Sequence, residues 1–205
     1  MSEPRDAHLS PADPYPVPFP VVALIASAGG LEALTRVLAP LPADLPAAVL
    51  VVLHQDPTRP SELAAILARR TALSVVVAED GAVMRPGQLL VIPPGRHLLV
   101  TAEARIGLID AGALPPARPS ADLLLVTLAV TCGVRALAVI LTGMGHDGEA
   151  GVRAIAHCGG TVLAQDKATS RYHSMPAAAI ATHQVQAVLS ADALGPAILA
   201  HVRSR

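Results

Sequence analysis

The apolar runs of this chain constrain its fold most. They have the length of a strand, they are continuous rather than alternating, and segments of helical period separate them. Val21–Ala26, Ala48–Leu53, Ser74–Val77, Leu137–Leu141, Thr161–Ala164 and Gln186–Leu189 are such runs. A strand that is apolar at every position has both faces buried, as happens when helices cover both sides of a parallel sheet. Between the runs, Leu31–Leu38, Ser61–Arg70, Ala121–Cys132, Gly148–His157, Pro176–Thr182 and Ala191–Val202 carry apolar residues three and four apart, several opening with Ser, Asp or Pro. The pattern predicts an α/β fold, a doubly wound and mostly parallel sheet with helices on both faces. The middle departs from it. Gln88–Ile92, His97–Thr101 and Arg105–Ile109, separated by Pro93-Pro94-Gly95 and a short charged turn, predict a small antiparallel excursion around residues 88–109.

Residues 1–18, with prolines at 4, 11, 14, 16 and 18, read as an extended tail that cannot bury a core, leaving 19–205 as a single domain. A chain of 205 residues buries roughly 70% of its unfolded surface, so it needs no disulfide or metal staple. Tyr15, Phe19 and Tyr172 are the only aromatic residues, and Lys+Arg 15 against Asp+Glu 16 gives a net charge of −1. Without stacking platforms or a basic field, nucleic-acid binding is not expected. No apolar run approaches the ~20 residues of a membrane-spanning helix: Leu123–Val134 is cut by Arg135, and the run from Val17 by Pro18 and Pro20. Val21–Ile25 followed by Ala26-Ser27-Ala28 imitates a signal peptide, but the acidic, proline-rich flank argues against one. Cys132 and Cys158 lie in apolar helical patterns, away from metal-site spacing, which suits a reducing compartment and a cytoplasmic location. No histidine pair sits at i, i+4 beside a carboxylate, so neither a metal site nor a cofactor is expected. His146 and His157 read as surface or cap residues.

In a doubly wound sheet the reactive site lies at the carboxyl ends of the strands. Ser27 follows the first strand, His54 ends the second, and Asp147 lies six residues past Leu141. These are the residue types of a nucleophile, a general base and an orienting carboxylate. Ala28-Gly29-Gly30 forces a tight strand-to-helix turn that exposes the Ser27 hydroxyl near unpaired backbone N–H groups. A serine before a helix also serves as a plain N-cap, and a lone histidine at a strand end as a half-buried hydrogen-bonded group. Gly143-x-Gly145-x-x-Gly148 offers a different function, since this spacing after a strand fits a dinucleotide site, with Asp166 near the place of a ribose-binding acid. Against it, Asp147 would add a carboxylate where the pyrophosphate should sit, and the fingerprint normally opens the first βαβ unit.

Val22-Ala23-Leu24-Ile25-Ala26-Ser27-Ala28-Gly29-Gly30, Val52-Leu53-His54, Leu141-Thr142-Gly143-Met144-Gly145-His146-Asp147-Gly148 and Ala164-Gln165-Asp166 resemble, in this order, the catalytic domain of the chemotaxis CheB protein-glutamate methylesterases. Ala78-Glu79-Asp80-Gly81, Pro93-Pro94-Gly95-Arg96-His97, Arg118-Pro119-Ser120-Ala121-Asp122 and Met175-Pro176 extend the likeness from about Phe19 to Leu199. The resemblance implies Ser27 as nucleophile, His54 as base and Asp147 as its partner, with backbone N–H groups of Ala28 and Met144 as oxyanion donors. It implies demethylation of glutamyl methyl esters on chemoreceptors, with glutamine deamidation as a second activity of the family. The implied partners are the methylated cytoplasmic helices of receptors, with a chemotaxis methyltransferase or a separate response regulator as further candidates.

The chain departs from the family at Ile25, where the elbow usually has glycine, at Ala28, often threonine, and at Ser174, usually glycine. Ile25 motivates the other reading, a catalytically silent receptor-docking module of the same fold. The family's usual receiver domain cannot be formed by eighteen proline-rich residues, so control by other means, or a longer parent chain, is expected.

Overall fold

Val21–Ala26 (β1) is buried at every position, and this explains its place: a strand with no polar face belongs where both faces are covered. The computed structural model describes residues 17–56, 59–110 and 119–205. Beside β1 lie Ala48–Leu53 (β2) and Ala136–Ile140 (β7), both parallel to it, with Val21 level with Ala48 and with Ala136. Ser74–Val77 (β3), Gln88–Val91 (β4), Thr161–Gln165 (β8) and Ala187–Leu189 (β9) complete a seven-stranded parallel sheet of order β3-β4-β2-β1-β7-β8-β9. Arg96–Thr101 (β5) and Arg105–Asp110 (β6) form a separate antiparallel ribbon.

The helices divide between the two faces. Gly30–Leu38 (α1), Leu63–Ala68 (α2) and Ala191–Arg203 (α6) bury Leu34, Val37, Leu67, Leu194 and Ile198 against Val22, Leu24 and their parallel neighbours. Ala121–Cys132 (α3), Glu149–His157 (α4) and Ser174–Ala181 (α5) cover the other face, where Leu124, Leu128, Val152 and Met175 meet Val21, Ala23 and Ile25. Successive residues of one strand thus enter different cores, as the two-residue strand period requires. Cys132 is part of this packing, and burial pushes its thiol up to about 12.

The expected doubly wound fold is present, with one correction inside it. Gln88–Ile92 does not open the antiparallel excursion: Gln88–Val91 pairs parallel with both β2 and β3 in the main sheet. A continuous apolar run reports burial on both faces but not the direction of its neighbours. The crossover from β3 to β4 contains no helix. The ribbon covers it instead, since the N–H groups of Gly81 and Met84 donate to Ile106 and Ala104, and that of Ile106 to Ala82, each at 2.8 Å. Of the expected tail, only Val17 and Pro18 fall among the described residues. Val17 is buried, and its carbonyl accepts from Arg135 Nη1 at 3.1 Å. Arg118 also lies outside the described residues. No helix among the described residues is long and apolar enough to cross a membrane.

Because Leu98 of β5 is fully buried in the same core as Ile25 and Leu124, the ribbon is part of the domain and not an appendage. Leu98→Ala should cost about 2–5 kcal/mol in urea unfolding with an unchanged m value. A loss below about 1 kcal/mol would show the ribbon to be dispensable.

Candidate active site

The sheet extends from β1 in one direction through β2, β4 and β3 and in the other through β7, β8 and β9, and the chain fills the first side before the second, so the switch point lies between β1 and β7. Ser27 sits at the carboxyl end of β1. Its N–H donates to Thr142 O at 3.0 Å, and its carbonyl accepts from Gly30 N–H at 2.8 Å, closing the turn into α1. The two glycines of this turn have different reasons. Gly29 has φ +75, left-handed backbone that favours glycine. Gly30 has no room, because a Cβ there would lie 2.6 Å from Ala26 Cβ and 2.7 Å from Leu53 Cδ1. The N-cap position of α1 is Gly29, with no side-chain cap, so Ser27 is not spent on capping. Ile25 is buried in the core beneath α3 rather than in the turn.

His54 follows β2, and its N–H donates to Ala26 O at 3.2 Å, which registers it against the end of β1. Its Nε2 lies 2.8 Å from Asp147 Oδ2. A carboxylate only accepts, so Nε2 carries the proton and Nδ1 keeps its lone pair. The structure thus joins His54 to Asp147 directly, and Ser27 and His54 line the same cleft.

Asp147 precedes α4, yet its carboxylate is held by the N-terminus of α3. Oδ2 also accepts the Ala121 N–H at 2.7 Å, while Oδ1 accepts the Asp122 N–H at 3.3 Å and the Ser120 hydroxyl at 3.5 Å. The arrangement is reciprocal: Asp122, in the first turn of α3, accepts the N–H of Gly151 in the first turn of α4 at 2.8 Å. Each helix thereby satisfies orphan N–H groups of the other with a carboxylate, where the helix dipole favours one. Burial alone would raise the Asp147 carboxyl, but the hydrogen bonds from His54 and Ala121 outweigh it and hold the group below the ordinary carboxylate range. Asp122 goes the other way. Burial, and then the charge of Asp147, push it up against the N–H groups that oppose them.

The glycine-rich loop after β7 serves this packing. A Cβ on Gly143 would lie 2.2 Å from Met175 Sδ and 2.9 Å from Ser27 Cβ, so residue 143 is pressed against the serine. The N-terminus of α4, where a pyrophosphate would sit, holds Asp122. Asp166 accepts from Thr169 N–H and Oγ1 at 2.9 and 2.6 Å, closing its own turn. The features that suggested a dinucleotide site are thus engaged within the fold. Thr142 binds the loops together, its hydroxyl lying 3.2 Å from Ala28 O and accepting the Tyr172 N–H at 2.9 Å, while its own N–H donates to the buried Gln165 side chain at 2.8 Å.

The cleft has a volume of about 690 Å³ and is lined by Ser27, Ala28 and His54, by apolar Leu31, Leu53 and Ile66, and by Arg36, Arg70 and Arg171 with one carboxylate, Glu32. Arg36 is already engaged by Asp192 at 2.8 and 2.5 Å. Of the expected oxyanion donors, Ala28 lines the cleft and Met144 does not. The Met144 side chain is 60% exposed on the adjoining loop. His146 and His157 are exposed. Sequence reasoning missed the α3 N-terminus and the arginines. Ser120-Ala121-Asp122 was legible as a helix start, but nothing local linked it to Asp147, and Arg171 lies in a loop whose course depends on α5.

The CheB methylesterase family model matches residues 22–198. The protein-glutamate methylesterase/protein-glutamine glutaminase of Moorella thermoacetica is 42% identical over 186 residues, which are 89% of this chain and 44% of that protein. The protein-glutamate methylesterase FrzG of Myxococcus xanthus is 39% identical over 184 residues, 90% of this chain and 55% of that one. The chain spans about half the length of the curated relatives it matches. The crystal structure of the Thermotoga maritima CheB methylesterase catalytic domain superposes with a TM-score of 0.84 at 32% identity, covering 90% of this chain and 99% of that one.

A carboxyl held low in the folded state stabilises that state only while ionised, so its contribution is complete above the unfolded value and is lost as pH falls. The stability of the parent relative to Asp147→Asn should therefore be largest near neutrality and shrink below about pH 4. Urea unfolding from pH 7 to pH 3 measures it. A difference independent of pH would show that Asp147 does not owe its low value to the fold.

Proposed function

This chain belongs to the CheB methylesterase family, and on that premise we propose that it is a serine esterase that removes methyl groups from glutamyl γ-methyl esters on the cytoplasmic helices of chemoreceptors. The observation that carries the reading is the 2.8 Å hydrogen bond from His54 Nε2 to a partly buried, ionised Asp147, beside a cleft that also contains Ser27. Ser27 Oγ attacks the ester carbonyl and passes its proton to His54 Nδ1, the nitrogen left with a lone pair. The oxyanion of the tetrahedral intermediate takes the Ala28 N–H, with the Met144 N–H as second donor, one residue beyond the backbone that abuts Ser27. His54 returns the proton to the methoxy oxygen as the carbon–oxygen bond breaks, and methanol leaves. A water then gives a proton to His54 and attacks the acyl-serine, and the receptor glutamate is released as Ser27 regains its proton. Asp147 holds the ring in the required tautomer and stabilises its positive charge.

The same intermediate with ammonia as leaving group deamidates glutamine, and this is the second activity we propose. Arg70 and Arg171 suit a substrate rich in carboxylates, and a receptor segment carrying glutamates on either side of the ester is one. The protein acts in the cytoplasm, where those helices lie, with no cofactor. A chemotaxis methyltransferase or a separate response regulator is a further partner within this reading.

Methanol release from methyl-labelled receptor membranes tests the proposal. Ser27→Ala should abolish release, and Asp147→Asn should lower kcat by roughly 10²–10⁴-fold. Full activity in folded Ser27→Ala would sink the serine mechanism. Arg171→Ala, in the same assay, should raise KM by roughly two- to fivefold at low salt and less at high salt. An unchanged KM at low salt would remove Arg171 from substrate binding.

A further inference from the structure

The mechanism above leaves a buried histidine without a role. His97, in β5, is 6% exposed and belongs to the antiparallel ribbon, not to the sheet whose strand ends carry Ser27 and His54. Its Nδ1 accepts the backbone N–H of Ser120 at 3.0 Å. To accept there, the ring must be neutral with its proton on Nε2. Ser120 is the N-cap of α3, with φ −81 and ψ 124, outside the helical region. The N–H of such a residue belongs to no helical ladder, so a partner outside the helix must hold it. The donors that follow in the chain are those that grip Asp147: Ala121 N–H on the oxygen that also accepts from His54, and Asp122 N–H on the other.

A simpler role would be a strut fastening the ribbon to α3. That fastening exists elsewhere, because Val100 N–H donates to Thr127 Oγ1 at 3.0 Å and Thr131 Oγ1 to Val100 O at 3.2 Å. These threonines hold the body of the helix, whereas His97 holds the end that meets Asp147. We propose that His97 is a positioning residue for the reaction: through the Ser120 N–H it sets the first turn of α3 against the Asp147 carboxylate, and through that carboxylate the ring of His54. The inference rests on the triad reading above and adds a group that touches neither substrate nor the reacting atoms.

The test is methanol release from methyl-labelled receptor membranes by His97→Asn and His97→Gln, each in the parent and in Asp147→Asn, with folding followed by circular dichroism. Asn places its carbonyl oxygen where Nδ1 stood, while Gln carries its acceptor one bond further out. His97→Asn should keep kcat within about threefold, and His97→Gln should lower it roughly ten- to a hundredfold with KM changed less than about twofold. In the Asp147→Asn background the Gln substitution should cost at most about twofold, since the carboxylate it acts through is gone. An equal penalty in both backgrounds, or equal rates for the Asn and Gln variants in the parent, overturns the assignment. Full activity of Asp147→Asn alone would instead remove the triad reading. If His97→Gln does not fold, Ser120→Pro against Ser120→Ala deletes the same N–H from the donor side at a φ that proline adopts. Ser120→Pro should then be roughly ten- to a hundredfold the slower of the two, and equal rates overturn the assignment.

Discussion

A carboxylate largely removed from water must be met by donors, and the site is organised around satisfying that need for Asp147. The donors are the imidazole of His54 and the opening N–H groups of α3. Meeting them requires α3 to end its approach where α4 begins, and the return contact from Asp122 to Gly151 secures that meeting from the other side. The charge is therefore fixed by two helix termini and a strand end, elements that are rigid by their own hydrogen bonding. Removing the Asp147 carboxylate would strand N–H groups of α3 and the His54 ring, and removing that of Asp122 would strand the Gly151 N–H of α4.

The second constraint is space. β1 is the central strand of the seven, between β2 and β7, and its carboxyl end opens into the crevice created where the chain's connections diverge to the two sides of the sheet. Three loops converge there, and they fit only because Gly30 and Gly143 lack a Cβ. Thr142 and Gln165 then bind the loops to the sheet. The result is a cleft whose wall holds Ser27 and His54 while Asp147 stands behind the histidine.

Much of this was legible along the chain. Continuous apolar runs placed β1, β2 and β3 with their observed bounds; burial on both faces accounts for this in β1 and β2, whereas β3, at the sheet edge, leaves Val76 and Val77 exposed despite its apolar run. Ser27, His54 and Asp147 were legible as polar residues just past strand ends. The direction of the Asp147 side chain was not. Its position before α4 suggested that helix's N-terminus, but α3 takes it, and α3 is separated from it in sequence by the whole of β7. Gln88–Val91 shows the same limit, for its apolar pattern is equally that of a parallel or an antiparallel partner. The ribbon's replacement of a crossover helix also had no local sign.

The sequence by itself determined the fold class, the elements and the candidate site residues, since periodicity, turn chemistry and residue type are properties of short segments. Only the tertiary structure decided which groups meet: His54 with Asp147, Asp147 with the start of α3, Asp122 with α4, Gly143 with Ser27 and Met175, His97 with Ser120. These pairings join residues far apart in the chain. They exist because two layers of helices packed on one twisted sheet bring particular ends together, and no short segment carries the information about which ends those are.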